Sequence, residues 1–552
     1  MEGTLLKRTF CVLLCLGLFG IPLHAQQPPG RTEQINLRPS STTGPLSLSV
    51  EEAVRLAIEN NPTLKIEKIR VEQARSRVDG QKGEFSPILN STTNLLRRDN
   101  IVASRFYPTG LYTDGQGSQS IGVEGRTHTG GKLNLTLSYS HLKSSSNTQT
   151  LSPQFSTNLL VSFTHALLRD FGRTVVDTRI RVAEKGAAIA ESNLFTKVSQ
   201  MIQRVEETYW NLTFLIRDHE EKQRSVDSAR EFLTQNENLL RAGRVAAVSV
   251  TQARAGVAER EEAVIRSQTN VEQYKDRLKS LLWLDLASTD ITPTDDAERQ
   301  PPALDAQESL KTAVIRRPEV VALERELEER QIELKFAGNQ KRPRLDLTTQ
   351  YGMAGLAGFP NQTCLDPTSV LCIPVGSNVS GSLLADKTAR SDAFKDLVSR
   401  NPFENWSVEL KFQLPLGNQA AEAQYSEATL RQLETETNLK AMKDQVSMEI
   451  RSAVRDAQAA QKRIEAAREV ITYVEDQLVG MRQQLGAGLV SSYDVVKALD
   501  ELDRARTTQL QAMMDYNVSL SKVRLAEASG FYRYNIDLAQ APRYTFEPAP
   551  IK

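Results

Sequence analysis

The sequence predicts a mainly α-helical fold with a smaller β-component, built from very long helices and amphipathic strands. Two stretches, 154–292 and 416–541, contain no proline and therefore permit long uninterrupted helices. Segments between the helical stretches alternate apolar and polar residues with a period of two, which is typical of strands. Corresponding motifs also recur at fixed spacings along the 552-residue chain, and this pattern indicates an internal duplication.

The N-terminal segment is predicted to precede the folded part of the chain. The basic pair Lys7 and Arg8 stands before an apolar run, Phe10 to Leu23, which a small residue follows. This order is typical of a cleaved export signal, assigned to 1–25. A membrane anchor is the alternative, but the apolar run is too short for one. Residues 26–45 are polar and rich in proline, serine and threonine, which predicts a flexible leader.

The remainder of the chain is predicted to be an internal duplication. Pro62 and Pro87 have counterparts at Pro318 and Pro343, both 256 residues further along. In the later part of each copy, "RAGRVAAVSVTQARA" aligns with "GAGLVSSYDVVKALD" at an offset of 245 residues. Two proline pairs at equal spacing are hard to obtain by chance. The predicted divisions are a first structural repeat at 46–300, a second at 301–534 and a C-terminal tail at 535–552.

Each repeat is predicted to contain short helices, strands, a long helix, a glycine break and a returning helix. Ser49 with Glu52 forms a capping box, and Pro62 suits the first turn of the next helix. The long helix from Ala420 to Leu485 would extend about 100 Å at about 1.5 Å per residue. Its apolar residues follow a heptad spacing that favours coiled-coil packing. These residues are Ile464, Ala467, Ile471, Val474, Leu478, Met481 and Leu485.

The predicted strands have one apolar and one polar face. In "WSVELKFQL" the apolar face carries Trp406, Val408, Leu410, Phe412 and Leu414, and "KLNLTLSYS" alternates in the same way. This alternation fits a soluble β-sandwich or a barrel that faces lipid on the outside and water on the inside. The alternation alone does not decide between these two structures.

Charge and motif content argue against several classes of function. The chain has 68 basic and 68 acidic residues, whereas nucleic-acid binding favours a basic excess. The five histidines lack metal-ligand spacing, and no phosphate-binding loop or hydrolase motif is present. The sequence therefore predicts a protein that is not an enzyme and has no cofactor or metal. The charged runs "EREEAVIR" and "LERELEER" are interpreted as solvated helix faces.

Two cysteines, Cys364 and Cys372, lie in the part of the chain that remains after export. They are close together in a stretch containing glycine, serine and proline. In an exported protein this arrangement predicts a small loop disulfide.

Taken together, the sequence resembles the TolC-like outer-membrane efflux family. The resemblance is carried by the duplication, the opening "LSVEEAVRLAIENNPTL", the strand-to-helix passage "VELKFQLPLGNQAAEAQYSEA" and the paired breaks "RAGRVAAVSV" and "GAGLVSSYDVV". It implies a homotrimer in which each chain gives four strands to a 12-stranded outer-membrane β-barrel. A long coiled-coil α-helical barrel would continue this β-barrel into the periplasm of a Gram-negative-type bacterium.

The function that the resemblance implies is an exit duct of a tripartite efflux or type I secretion system. Its partners would be a periplasmic adaptor protein, an inner-membrane pump of the RND or ABC type and outer-membrane lipid, with no nucleic acid. The alternative is a periplasmic coiled-coil scaffold or adaptor with a small soluble β-domain. The first repeat holds more strand-like stretches than the two that the family implies, and the sequence leaves open whether 118–142 belongs to the membrane barrel.

The resemblance also assigns roles to the glycine breaks. They would be the hairpin tips at the periplasmic end, where glycine permits the chain to reverse. The implied adaptor-docking residues are Gly243, Arg244, Val245, Gly488, Leu489 and Val490. A periplasmic gate is implied at Asp494, with Tyr493 and Lys497 beside it.

Overall fold

The computed structural model describes residues 44–103, 110–146, 149, 151–285, 289–295, 305–360, 389–398 and 403–534. The predicted signal peptide, the leader up to residue 43 and the tail 535–552 lie outside the described residues. Cys364 and Cys372 also lie outside them, so the disulfide stays a prediction.

Helices make up most of the described chain. They are α1 (Val50–Asn60), α2 (Pro62–Gly83), α3 (Arg173–Val176), α4 (Thr178–Arg241), α5 (Ala247–Leu282), α6 (Ala306–Arg316), α7 (Pro318–Gln340), α8 (Arg390–Val398), α9 (Gln419–Gly486), α10 (Ser492–Glu527) and α11 (Gly530–Arg533). The strands are β1 (Gly44–Leu48), β2 (Ile88–Ile101), β3 (Leu111–Arg126), β4 (Gly131–Ser144), β5 (Leu151–Ala166), β6 (Thr289–Pro293), β7 (Arg344–Pro360) and β8 (Phe403–Gln413).

The starts of the first helices follow from local sequence signals. The Ser49 hydroxyl accepts a hydrogen bond from the backbone N–H of Glu52, and the Glu52 carboxylate accepts one from the backbone N–H of Ser49. This capping box satisfies two N–H groups that a helix start would otherwise leave unpaired. The Asn61 side chain then caps α2, whose first residue is Pro62. Both predicted start signals are confirmed.

Two long helices organise the helical part. The 64 residues of α4 and the 68 residues of α9 correspond to about 95–100 Å at about 1.5 Å per residue. The shorter α2 and α5 both pack along α4, whereas α7 and α10 both pack along α9 and also contact α4. The predicted heptad seam of α9 is confirmed, because Ala467, Leu478 and Leu485 are buried and the other seam residues pack against buried clusters.

The largest apolar cluster lies where a two-stranded sheet meets the middle of α4. Strands β1 and β6 pair in parallel, and Leu48 and Ile291 from them join buried residues of α1, α2, α4 and α5. The buried Tyr209 hydroxyl lies 2.9 Å from the carbonyl oxygen of Leu48 and accepts hydrogen bonds from the backbone N–H groups of Thr294 and Asp295. Burial is the main cause that raises the pKa of Tyr209 to about 12. No sequence pattern predicted this strand pair.

The second sheet is antiparallel and contains six strands in the order β2-β3-β4-β5-β7-β8. Residues opposite each other in such a sheet share a face, so the rows across the strands show the character of each face. One apolar row comprises Leu89, Val123, Leu135, Val161, Tyr351 and Trp406. A row on the opposite, polar face comprises Asn134, Ser162, Gln350 and Ser407. The predicted alternation is therefore confirmed in these rows.

The number of strands differs from the expectation. The resemblance implied that each chain gives four strands to the barrel, whereas the described sheet of one chain has six. The additional strands are β3 and β4, which contain the segment 118–142 that the sequence left unassigned. They lie inside the sheet, between β2 and β5.

Element bounds recur at the offsets seen in the sequence. Helix α1 starts at Val50 and α6 at Ala306, 256 residues later, and β2 and β7 start with the same offset. Helix α5 starts at Ala247 and α10 at Ser492, 245 residues later. The offset therefore changes within the segment that contains β3 and β4.

Candidate functional site

Both glycine breaks have the same backbone structure. Helix α4 has its C-cap at Ala242, after which Gly243 has a φ of +72°, and α9 has its C-cap at Ala487, after which Gly488 has a φ of +76°. The N–H groups of Arg244 and Leu489 each bond back to a carbonyl five residues earlier, at 2.9 Å. This is the Schellman ending, which favours glycine at the left-handed position. The tips therefore reverse the chain, as predicted.

The second tip carries an additional cap. The Asp494 carboxylate accepts hydrogen bonds from the backbone N–H and the hydroxyl of Ser491, at 2.9 and 2.7 Å. The Ser491 hydroxyl bond is the main cause that holds the pKa of Asp494 below its usual range, followed by the backbone bond of Ser491 and then the charge of Lys497. In the described part of the chain no ion pair joins Lys497 to Asp494. The Asp494 carboxylate thus acts first on its own helix start.

The predicted docking and gate residues lie together at the ends of the two hairpins. Leu489 has 76 % and Tyr493 has 59 % of its surface exposed, and the tip glycines and Arg244 are exposed as well. Val245 and Val490 are half-buried, and Val490 packs against the cluster described next. Each tip therefore offers an exposed surface with apolar side chains on a rigid turn.

An apolar cluster joins the two hairpins directly behind the tips. Phe232 and Ala253 come from the first hairpin, while Leu485 and Val495 are among the members from the second. A buried hydrogen bond of 2.6 Å joins the Ser492 hydroxyl to the side-chain oxygen of Asn236. The tips of one chain are therefore held side by side.

A charged network lies next to this apolar cluster, on the side away from the tips. The Arg260 side chain on α5 is only 9 % exposed and donates to Asp500 at 2.5 Å and to Asp503 at 3.3 Å, both on α10. Its Nε also donates to the Ser225 hydroxyl on α4 at 2.9 Å, and its Nη1 to the carbonyl of Gly256 at 3.1 Å. One guanidinium therefore connects three helices beside a recess of about 190 Å³.

The interpretation of "EREEAVIR" as a solvated face is wrong for Arg260, and sequence reasoning missed this network. The signal was present, because Arg260 continues the spacing of the buried residues Val250, Ala253 and Val257. A charged residue on an apolar helical stripe is buried only when partners satisfy it. "LERELEER" is likewise half-buried in part, and Lys185 on α4 forms an ion pair with Glu328.

Other kinds of site were searched for in the described residues. Among them, no group of three or more His, Cys, Asp and Glu side chains could hold a metal ion. None of the described helices combines the length and apolar character needed to cross a membrane. His128 lies in the turn predicted from "GRTHTGG", where its Nδ1 is 2.6 Å from Asp177.

The paired long helices, the amphipathic sheet and the two tips define the fold of outer-membrane channels. The structure is similar to CusC, with a TM-score of 0.60, 16 % identity and coverage of 91 % of this chain and 96 % of that one. VceC of Vibrio cholerae has a TM-score of 0.58 and 16 % identity, with coverage of 87 % of this chain and 95 % of that one. The open-state MtrE channel of Neisseria gonorrhoeae has a TM-score of 0.57 and 14 % identity, with coverage of 91 % of this chain and 98 % of that one. At these low sequence identities, the TM-scores show a shared fold.

The sequence comparison matches a smaller part of the chain than the structural comparison does. Residues 126–282 match the model of the family described as outer membrane efflux protein. This match, together with the fold, confirms the resemblance to the outer-membrane efflux family. No curated protein matches the sequence significantly.

Proposed function

We propose that the protein is an outer-membrane exit duct formed by three copies of this chain. The observation that carries the proposal is the six-stranded sheet, whose apolar face remains exposed over much of its area, although α8 covers it around Phe155 and Ala357. Leu89, Trp406 and Val408 are 61–74 % exposed. An exposed apolar band on a sheet whose other face is polar suits a wall between lipid and water. The sheet would lie in the outer membrane, with the helices in the periplasm.

Assembly follows from the edges of the sheet. In the described residues β2 and β8 each pair with only one neighbour, so each leaves a row of unpaired backbone groups. Lipid cannot satisfy such groups, whereas β2 of one copy can pair with β8 of the next. Closure by three copies is the homotrimer that the resemblance implies. The repeated element bounds support the internal duplication that we include in this proposal.

The tips would serve as the docking surface for a periplasmic adaptor, with an inner-membrane pump of the RND or ABC type supplying energy. Leu489 is a large exposed apolar side chain on a turn fixed by hydrogen bonds. Such a preorganised apolar group binds a partner with little loss of conformational freedom. We assign docking to Gly243, Arg244, Val245, Gly488, Leu489 and Val490.

The gate assignment is part of the same proposal. Three copies would place three Asp494 carboxylates near one axis, with the exposed Tyr493 and Lys497 beside them. Like charges close to one another repel and attract cations. Because Asp494 is already held by Ser491, its orientation is fixed without Lys497. A duct of this kind needs no catalytic group or cofactor.

The experiment compares arginine substitutions on the two faces of one strand. Val408 lies on the apolar face of β8 and Ser407 on the polar face. Arginine on a lipid face costs about 2–4 kcal/mol at the membrane centre, whereas a lumen face tolerates it. We expect Ser407→Arg to form membrane trimers with ion conductance in planar bilayers, and Val408→Arg to lose them. A water-soluble monomer without conductance for the wild type, or equal behaviour of both variants, would overturn the proposal.

A further inference from the structure

The hairpin formed by β3 and β4 interrupts the correspondence between the two repeats. Strands β2 and β7 each follow a short helical pair, and β5 and β8 each lead into the long helix of their repeat. These strands therefore correspond in pairs. In the described part of the second repeat no strand stands between β7 and β8. The hairpin thus has no counterpart among the described residues of the second repeat.

The hairpin is paired along its length on both sides. Strand β3 is in register with β2 from the pair Ile88 and Glu124 to the pair Ile101 and Leu111. Strand β4 is in register with β5 over twelve pairs, from Gly131 with His165 to Leu142 with Gln154. With 16 and 14 residues, both strands exceed the roughly 9–11 residues that cross a bilayer.

The faces of these two strands continue those of the flanking strands. Leu133 shares a row with Phe163, Thr349 and Val408, while Asn134 shares a polar row with Ser407. Leu133, Leu135 and Leu137 are 37–45 % exposed. A hairpin standing in water would gain nothing from such a face, whereas a hairpin in lipid requires it.

We infer that β3 and β4 are membrane-spanning wall strands, so that three copies close a barrel of eighteen strands through contacts between β2 of one copy and β8 of the next. This inference rests on the proposed duct. Barrel diameter grows about linearly with strand number. With strands about 4.8 Å apart and tilted about 40°, eighteen strands give a diameter of about 36 Å and twelve give about 24 Å.

The test places single cysteines at matched rows on β4 of the hairpin and on the edge strand β8. The variants are Leu133→Cys and Asn134→Cys on β4, and Val408→Cys and Ser407→Cys on β8. All four carry serine at positions 364 and 372, so that no other cysteine of the mature chain reacts. Trimers in liposomes are treated with a charged maleimide, and an attached fluorophore is tested for quenching by brominated lipid.

We expect both leucine- and valine-derived cysteines to be protected from the charged maleimide and quenched by the lipid. Asn134→Cys and Ser407→Cys should react and remain unquenched. If Leu133→Cys and Asn134→Cys both react and neither is quenched, while Val408→Cys is quenched, the hairpin lies outside the membrane and the inference is wrong. If Val408→Cys also escapes quenching, the duct itself is wrong. The β8 pair thus separates the two failures.

A deletion measures the width independently. Removing 111–144 leaves β2 and β5 as a direct antiparallel hairpin in which Leu89 and Val161 still share a face. Electron microscopy of the trimers should show the β-barrel narrowing to about two thirds of its diameter. An unchanged diameter in a folded trimer contradicts the inference. Should the deletion fail to assemble, the labelling of the full-length chain still decides it.

Discussion

Replacing Arg260 with glutamine should destabilise the contact between the two hairpins of one chain, which are formed by α4 with α5 and by α9 with α10. The substitution removes the charged donor that contacts Asp500 at 2.5 Å and Asp503 at 3.3 Å. Breaking a fully buried ion pair costs about 3–5 kcal/mol because one charge is left without a partner. Here the carboxylates are 42 % and 35 % exposed, so water compensates part of the loss and we expect about 2 kcal/mol.

Hydrogen exchange followed by mass spectrometry measures this loss locally. If the contact between the hairpins opens by local unfolding, a loss of about 2 kcal/mol in its stability corresponds to an about 30-fold faster exchange of amides in α5 and α10. The matched control is Arg266→Gln on the same helix, whose arginine is 70 % exposed and pairs with Glu262 one turn away. An exposed pair is worth about 0–1 kcal/mol, so the control should change exchange by less than about fivefold.

A combined variant separates charge from packing. Arg260→Met alone leaves Asp500 and Asp503 without their cation, whereas Arg260→Met with Asp500→Asn and Asp503→Asn leaves no charge unpaired. Replacing all members of a buried ionic cluster is often nearly neutral. The combined variant should therefore exchange more slowly than Arg260→Met. Equal exchange in Arg260→Gln and Arg266→Gln, or no rescue by the combined variant, would refute the role of the network.

Three further predictions concern the tips and the parallel strand pair. Gly488→Ala should destabilise the tip by about 1 kcal/mol, because alanine disfavours a positive φ, whereas Gly480→Ala within α9 should stabilise it slightly; tip amide exchange checks both. Tyr209→Phe should raise exchange of the Thr294 and Asp295 amides, which donate to the Tyr209 hydroxyl, at a cost of about 1 kcal/mol. The lowered pKa of Asp494 means that its cap stabilises above about pH 4 and is lost as pH falls through the folded-state pKa; Ser491→Ala should reduce this pH dependence of tip exchange, because it removes the hydroxyl bond and keeps the backbone bond.

Local signals predicted the helical part well. The bounds of α2 and α9 follow from Pro62 and from Gly488, because proline and a left-handed glycine act on the backbone within a few residues. The seam from Ile464 to Leu485 is set by the same local periodicity. Such signals need no knowledge of the partner helix.

Features that depend on residues distant in the sequence were harder to predict. Alternation in "KLNLTLSYS" identifies a strand and its faces, but it does not say which strand lies beside it or how many share the sheet. The pairing of Gly44–Leu48 with Thr289–Pro293 joins segments too distant for any local pattern to indicate. Arg260 was misread for a related reason, since its charge was weighed without the carboxylates that α10 brings to it.

The β3–β4 hairpin also bears on how the sheet meets the helices. In the proposed trimer each copy contributes four helical columns, formed by α2 with α5, by α4, by α7 with α10 and by α9. Twelve columns spaced about 8–10 Å apart enclose a diameter of about 30–38 Å. Eighteen strands give about 36 Å, whereas twelve give about 24 Å. With β3 and β4 in the wall, the two parts of the duct have similar widths, so the strands can pass into the helices without the helical wall having to converge at the membrane.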